Sequence, residues 1–341
     1  MNLLVTGGAG FIGSNFILYM LSKHEEIKII NLDKLTYAGN LGNLDEVVND
    51  PRYIFIKGDV CDRPLVENIF EEFRVDGVIH FAAESHVDNS IKNPMAFVQT
   101  NVLGTLTLLE AARKQWMEGN SYRSDYKNAR FHHISTDEVY GTLGKDGYFT
   151  EDTPYAPNSP YSASKASSDM LVRSYFHTYG LNVVTTNCSN NYGPRQHAEK
   201  LIPTIIRKAL ALSPIPIYGD GQNIRDWLYV MDHCRAIEKV FQEGIPGDTY
   251  VIGGHCEKTN LEMAKSICHL LDQFVPIQKN SRKLESYTQL IQFVKDRAGH
   301  DFRYAIDDRK LQNTLSFRNR YEFEEGIEKT IRYYLQDCNR L

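Results

Sequence analysis

The sequence predicts an α/β chain built on a doubly wound, mainly parallel sheet of the Rossmann type, with a smaller lobe beside it. Three observations carry this. Gly7, Gly10 and Gly13 fall between an apolar run, Asn2 to Thr6, and the start of a helical pattern. A second apolar run, Lys28 to Leu32, ends in Asp33, about twenty residues after Gly13. Strand-length apolar runs then alternate with helical stretches through residue 187. Such alternation favours parallel pairing, because each crossover carries a helix back over the sheet.

Taken in order, Asn2 to Thr6 reads as a buried strand, and the helix after it runs to about Leu21. Glycines at 7, 10 and 13 permit a tight turn, close approach of backbone to a pyrophosphate, and close helix-to-strand packing, with the helix amino end facing the phosphates. Asp33 ends the second strand. There it accepts from both ribose hydroxyls and repels a 2′-phosphate, so the cofactor expected is NAD rather than NADP. Tyr53 to Lys57 and Gly77 to Phe81 supply the third and fourth strands. Asp59, just past the third, is placed to accept from an adenine amino group, although an acidic turn residue has the same signature.

Pro94 to Lys114 reads as one long helix whose apolar residues, among them Phe97, Val98, Leu103, Leu106 and Leu109, cover more than one face. A one-sided surface helix shows a narrower stripe. The surplus points either to a second subunit or to core burial. Residues 117 to 129 are polar and aperiodic and read as a surface loop. Arg130 to Ile134 is the fifth strand and Asn182 to Thr186 the sixth. Beyond residue 187 the elements shorten: a helix over Lys200 to Leu212, a strand over Ile215 to Tyr218, a return to the first domain through Asp226 to Phe241, and a final amphipathic helix over Phe323 to Leu335. The organisation expected is residues 1–187 and 226–253 in a nucleotide-binding domain, with 188–225 and 254–341 in an interleaved smaller lobe that holds the substrate.

Chemistry concentrates in two runs. Thr136, Asp137 and Glu138 follow the fifth strand, at a carboxyl end, where open α/β sheets bind ligands. Tyr161 and Lys165 are four apart at the head of a helical stretch, so they share a face on which an ammonium stabilises a phenolate. That pair is a base for an alcohol. Hydride removal from a carbinol needs one base and leaves two acids over. A second proton-transfer step is therefore expected from Asp137 and Glu138. The competing reading makes Asp137 and Glu138 a solvated turn pair. His132 and His133 point to opposite faces of a strand and have no third ligand in register, so no metal is expected.

The totals exclude other classes. The chain has 341 residues, 42% hydrophobic and 24% charged, with a net charge of −5. An acidic balance argues against broad nucleic-acid affinity. No apolar run reaches the length needed to cross a bilayer. Six cysteines (61, 188, 234, 256, 268 and 338) lack C-x-x-C spacing and read as reduced, mostly buried and cytoplasmic.

Eight runs in order, DKLTYAGN, HFAAESHVDNS, STDEVYG, YSASKA, CSNNYGP, EKLIP, IRDWLYV and DRAGHDFRY, resemble the extended short-chain dehydrogenase/reductase family, and within it the dTDP-glucose 4,6-dehydratases. The chain departs from their pattern at Arg195-Gln196-His197-Ala198, at Cys256 and at Ala298. The resemblance implies NAD contacts from Gly7, Gly10, Phe11, Ile12, Gly13, Asp33, Lys34, Leu35, Thr36, Asp59, Val60, Phe81, Ala82, Ala83, Ser85, Thr100, Tyr161, Lys165 and Asn191. It implies substrate contacts from Ser85, Thr136, Asn190, Lys200, Leu201, Pro216, Ile217, Tyr218, Arg225, Asn260, Asp296, Arg297 and His300, with the cations and His300 suited to a diphosphate. The activity implied is redox-neutral dehydration of a nucleoside-diphosphate hexose by a homodimer. A UDP-linked substrate, or an epimerase or simple dehydrogenase on the same fold, remains the alternative.

Overall fold

The computed structural model describes residues 1–277, 284–296 and 301–336. Seven parallel strands form the main sheet, in the spatial order Thr249–Ile252, Val183–Cys188, Arg130–Thr136, Gly77–His80, Asn2–Thr6, Lys28–Asp33, Tyr53–Lys57. The order reverses between Asn2–Thr6 and Gly77–His80, which opens a crevice at the carboxyl ends. Side chains of the first strand alternate between two cores. Leu3 and Val5 pack with Phe16, Ile17 and Met20 of the Phe11–Lys23 helix and with Ile237 of the Val230–Glu243 helix. Leu4 packs on the opposite face with Phe70 and Leu108. Helices on both faces explain why the strand sequences run apolar rather than alternating. Truncating any one of these buried leucines to alanine costs about 2–5 kcal/mol.

Two strands extend further than their apolar residues indicate. Arg130–Thr136 and Val183–Cys188 stay paired to Thr136 and Cys188, so polar residues continue the ladder to the rim of the crevice. The long helical run is not uniform: Pro94–Phe97 and Gly104–Trp116 are α-helical, and Val98–Leu103 between them is a π turn. Residues 117–129, expected as a plain loop, contain a hairpin of Met117–Glu118 with Ser121–Tyr122, and Met117, Tyr126 and Ala129 are buried. Several helices were not anticipated, among them Val87–Lys92, Arg309–Leu315 and two with clear caps. Arg63–Glu72 starts on an Asp62 cap, and Asn260–Phe274 starts on a capping box of Thr259 with Glu262.

Outside the main sheet, Ile215–Tyr218 pairs with Ile291–Val294, and Ile224–Tyr229 lies between Asn190–Tyr192 and Glu257–Thr259. Asp226 to Tyr229 thus belongs to a small three-stranded sheet, whereas the helix that follows packs on Phe11–Lys23. Cys61, Cys188, Cys234, Cys256 and Cys268 are unpaired. Among the described residues no helix is long and apolar enough to cross a membrane.

Candidate active site

The first turn of the chain is shaped by contact. Gly7 takes φ +70°, and a Cβ there would lie 2.7 Å from the Ala82 nitrogen across the crevice. A Cβ on Gly13 would fall 2.4 Å from the Gly7 carbonyl oxygen, whereas one on Gly10 would meet only that oxygen, at 3.2 Å. Gly10 therefore leaves open space on the cleft side, at a helix amino end, which is the cradle a pyrophosphate needs. Asp33 is oriented by the backbone: Oδ2 accepts from Ala9 N at 2.9 Å and Oδ1 from Leu35 N at 2.8 Å. Each oxygen keeps acceptor capacity for a ribose hydroxyl. These features fit NAD.

Asp59 accepts from Cys61 N at 2.9 Å and pairs with Lys34 Nζ at 2.7 Å. Partial burial raises its carboxyl, but Lys34 and the Cys61 N–H outweigh that and hold it below the usual range. An adenine amino group has to share its oxygens with Lys34. Every residue expected at the cofactor lines one continuous cleft except Leu35, whose contribution is the backbone N–H that turns Asp33.

The catalytic candidates meet on the far wall of that cleft. Thr136 ends its strand and caps the 3-10 turn Asp137–Tyr140, accepting from Glu138 N at 3.3 Å and donating to Asp137 Oδ1 at 3.3 Å. Gly141 closes the turn at φ +86°. Tyr140 anchors it, stacked on Phe149 and edge-on to Tyr155. The helix Pro160–Tyr179 begins with Pro160 in its first turn and a Ser159–Ser162 capping box, which fixes Tyr161 at the cleft. Lys165, one turn later, donates from Nζ to the Ile134 carbonyl at 2.8 Å.

Burial, then the charges of Glu138 and Asp226, push the Asp137 carboxyl well above its ordinary range, as an acid that holds its proton near neutral pH requires. The Tyr161 phenol departs from expectation. Burial first, and the nearby Glu138 second, raise it well above 10, with a Thr136 hydrogen bond opposing. Burial also draws Lys165 down to about 8, and one of its three N–H groups donates to the Ile134 carbonyl.

Of the substrate set, Ser85, Thr136, Asn190 and Lys200 line the cleft, whereas Leu201, Pro216, Ile217, Tyr218, Arg225, Asn260 and Asp296 do not. Arg225 is buried over the Tyr304 ring, and its terminal nitrogens donate to the carbonyls of Ile224 at 2.7 Å and Asp301 at 2.9 Å. Arg297 and His300 lie outside the described residues. His132 and His133 are both fully buried, His132 against Thr186 and His133 against Asp169.

Sequence reasoning missed several groups. Glu84, Ser189, Gln196, His197 and Glu199 also line the cleft. Asn101, within the π turn, exchanges hydrogen bonds with the Glu84 backbone and donates to Ser164 Oγ at 2.8 Å, tying the loop after the fourth strand to the Tyr161 helix.

The family model described as GDP-mannose 4,6 dehydratase matches residues 4–330. A dTDP-glucose 4,6-dehydratase of Xanthomonas campestris pv. campestris is 56% identical over 332 residues, 97% of this chain and 92% of that protein. Two solved dTDP-glucose 4,6-dehydratases, both with NAD bound, share the fold over 99% of this chain and 98% of theirs. The one from Streptomyces venezuelae is 43% identical with a TM-score of 0.89, and the one from Bacillus anthracis 45% identical with a TM-score of 0.85. A chain with this cleft, these proton-transfer groups and these relatives belongs to the dTDP-glucose 4,6-dehydratases of the extended short-chain dehydrogenase/reductase family.

Proposed function

We infer that this chain removes water from dTDP-glucose, giving dTDP-4-keto-6-deoxyglucose, with NAD as its cofactor. The observation that carries this is the meeting of Tyr161 and Lys165 with a buried acid, Asp137, and a second carboxyl, Glu138, on one wall of the cleft. An epimerase or simple dehydrogenase uses only the first pair.

The Gly7–Gly13 turn and Asp33 would hold NAD in the cleft, where it would supply a hydride acceptor and donor and a cationic ring that helps the Tyr161 phenol ionise. Tyr161 removes the C4 hydroxyl proton while Thr136 Oγ1 holds the C4 oxygen. The C4 ketone acidifies the C5 hydrogen. Glu138 takes that proton as Asp137 gives its own to the departing C6 hydroxyl, which leaves as water. Glu138 then returns a proton to C5 as C6 is reduced. Lys200, at the cleft edge, suits the diphosphate.

The protein acts as a homodimer in this reading. Met95, Val98 and Leu103 are 69%, 51% and 47% exposed along one helical run, and Met170, on the helix packed against it, is 59% exposed. Covering such a surface with a second copy buries it. Light scattering that gives a monomer mass across the working concentrations contradicts this. The unpaired cysteines fit a reducing cytoplasm. Incubation with dTDP-glucose and, separately, UDP-glucose tests the substrate: the base-sensitive absorbance of a 4-keto-6-deoxy sugar is expected faster with dTDP-glucose. Equal or faster product from UDP-glucose overturns the nucleotide assignment.

A further inference from the structure

One turn beyond Lys165 on the same helix face, Asp169 is buried, and the reaction described above does not use it. Its Oδ2 accepts from Ser135 Oγ at 2.9 Å, Tyr155 OH at 2.9 Å and Asn187 Nδ2 at 3.0 Å. Its Oδ1 lies 3.1 Å from His133 Nε2. These donors come from the fifth strand, the sixth strand and the loop before the helix. Ser135 directly precedes Thr136, and Tyr155 packs on Tyr140 of the Asp137 turn. One carboxylate therefore gathers the strand and turn that carry the elimination groups onto the helix that carries the oxidation groups.

We propose that Asp169 is a positioning residue and the counter-charge of the Lys165 ammonium, holding Lys165 protonated inside the core while it fixes the Tyr161 helix against the strand that ends in Thr136. This rests on the reading of Tyr161 and Lys165 as the oxidation pair. The surroundings leave the task to Asp169. The groups acting on Lys165 are Asp169 on its own helix, Cys188 from the sixth strand, and His80 and His133 from the fourth and fifth. Burial pushes Cys188 up to about 12 and His133 down to about 4, and drives His80 well below its ordinary value, so all three are neutral near pH 7. Burial also draws Lys165 down to about 8, and Asp169 is the leading influence in the other direction.

Asp169→Asn keeps the shape and removes the charge, so the pH profile of kcat/KM separates a counter-charge from a scaffold. The alkaline limb, where Lys165 loses its proton, should move to lower pH by on the order of one unit, with most of the rate recovered below the new limb. Rates lowered equally at every pH, with the limb in place, overturn the proposal. Asp169→Glu keeps the charge and shifts the carboxylate by one methylene. Its limb should stay near wild type, and a downward shift as large as that expected for Asp169→Asn also overturns the proposal, even where Asp169→Asn does not fold. Lys165→Met tests the underlying reading separately. In it only an alkaline limb set by Asp137 should remain, and adding Asp169→Asn should leave that limb in place; a limb that Asp169→Asn still moves there refutes the role of Lys165 itself.

Discussion

Lys165 Nζ donates to the Ile134 carbonyl over 2.8 Å, so the helix that carries the oxidation pair is pinned to the strand that delivers Thr136, Asp137 and Glu138. Two chemistries that are separate in sequence share one rigid wall. Their separation is also what allows single substitutions to stop one and spare the other.

Tyr161→Phe removes the only base assigned to the C4 hydroxyl and should abolish every later step, with no transient NADH absorbance. Asp137→Asn should still oxidise C4 and then stall, so enzyme-bound NADH accumulates in a single turnover. Glu138→Gln should stall at the same stage and lose exchange of the C5 hydrogen with solvent. Each loss should be on the order of a hundredfold to ten-thousandfold. Stopped-flow absorbance and product mass decide it. NADH build-up in Tyr161→Phe, or none in Asp137→Asn, reverses the assigned roles.

Asp137 also makes a stability prediction. Its folded-state pKa is raised above the unfolded value of 3.8, chiefly by burial. The unfolded chain therefore releases that proton first as pH rises, and wild type loses stability until the folded-state pKa is passed. Asparagine carries no such penalty. Asp137→Asn should melt higher than wild type at pH 7, with a margin that grows above pH 4 by about 1.4 kcal/mol per pH unit up to the folded-state pKa. A margin that does not change with pH contradicts the protonated acid.

The glycines of the first turn should fail differently. In Gly13→Ala the new Cβ would sit 2.4 Å from a backbone oxygen, so the turn and helix must shift and the melting temperature should fall. In Gly10→Ala the nearest atom is 3.2 Å away, and the methyl enters the pyrophosphate space instead. Thermal melts should change little for Gly10→Ala while NAD affinity, measured by calorimetry, drops at least tenfold. Equal NAD affinity for Gly10→Ala and wild type refutes the cradle.

What the sequence revealed divides along physical lines. Strands such as Asn2–Thr6 were legible because both faces are buried and the run Leu3-Leu4-Val5 is apolar throughout. The turn at Gly7 to Gly13, Asp33 and the Tyr161 helix were legible because each uses residues that the local backbone geometry demands. The π turn at Val98–Leu103 was not; Asn101 within it bonds to the distant Glu84 backbone and Ser164, contacts that local sequence does not show. The raised Tyr161 phenol was hidden for a related reason: spacing shows that Lys165 is near but not how dry the site is.

The measurement closest to the centre of this account is the fate of the C4 hydrogen. With dTDP-glucose deuterated at C4, the dTDP-4-keto-6-deoxyglucose formed should carry the deuterium at C6, because the hydride taken from C4 is the one returned within the same cleft. Deuterium found in solvent or in free NADH, with C6 unlabelled, contradicts it.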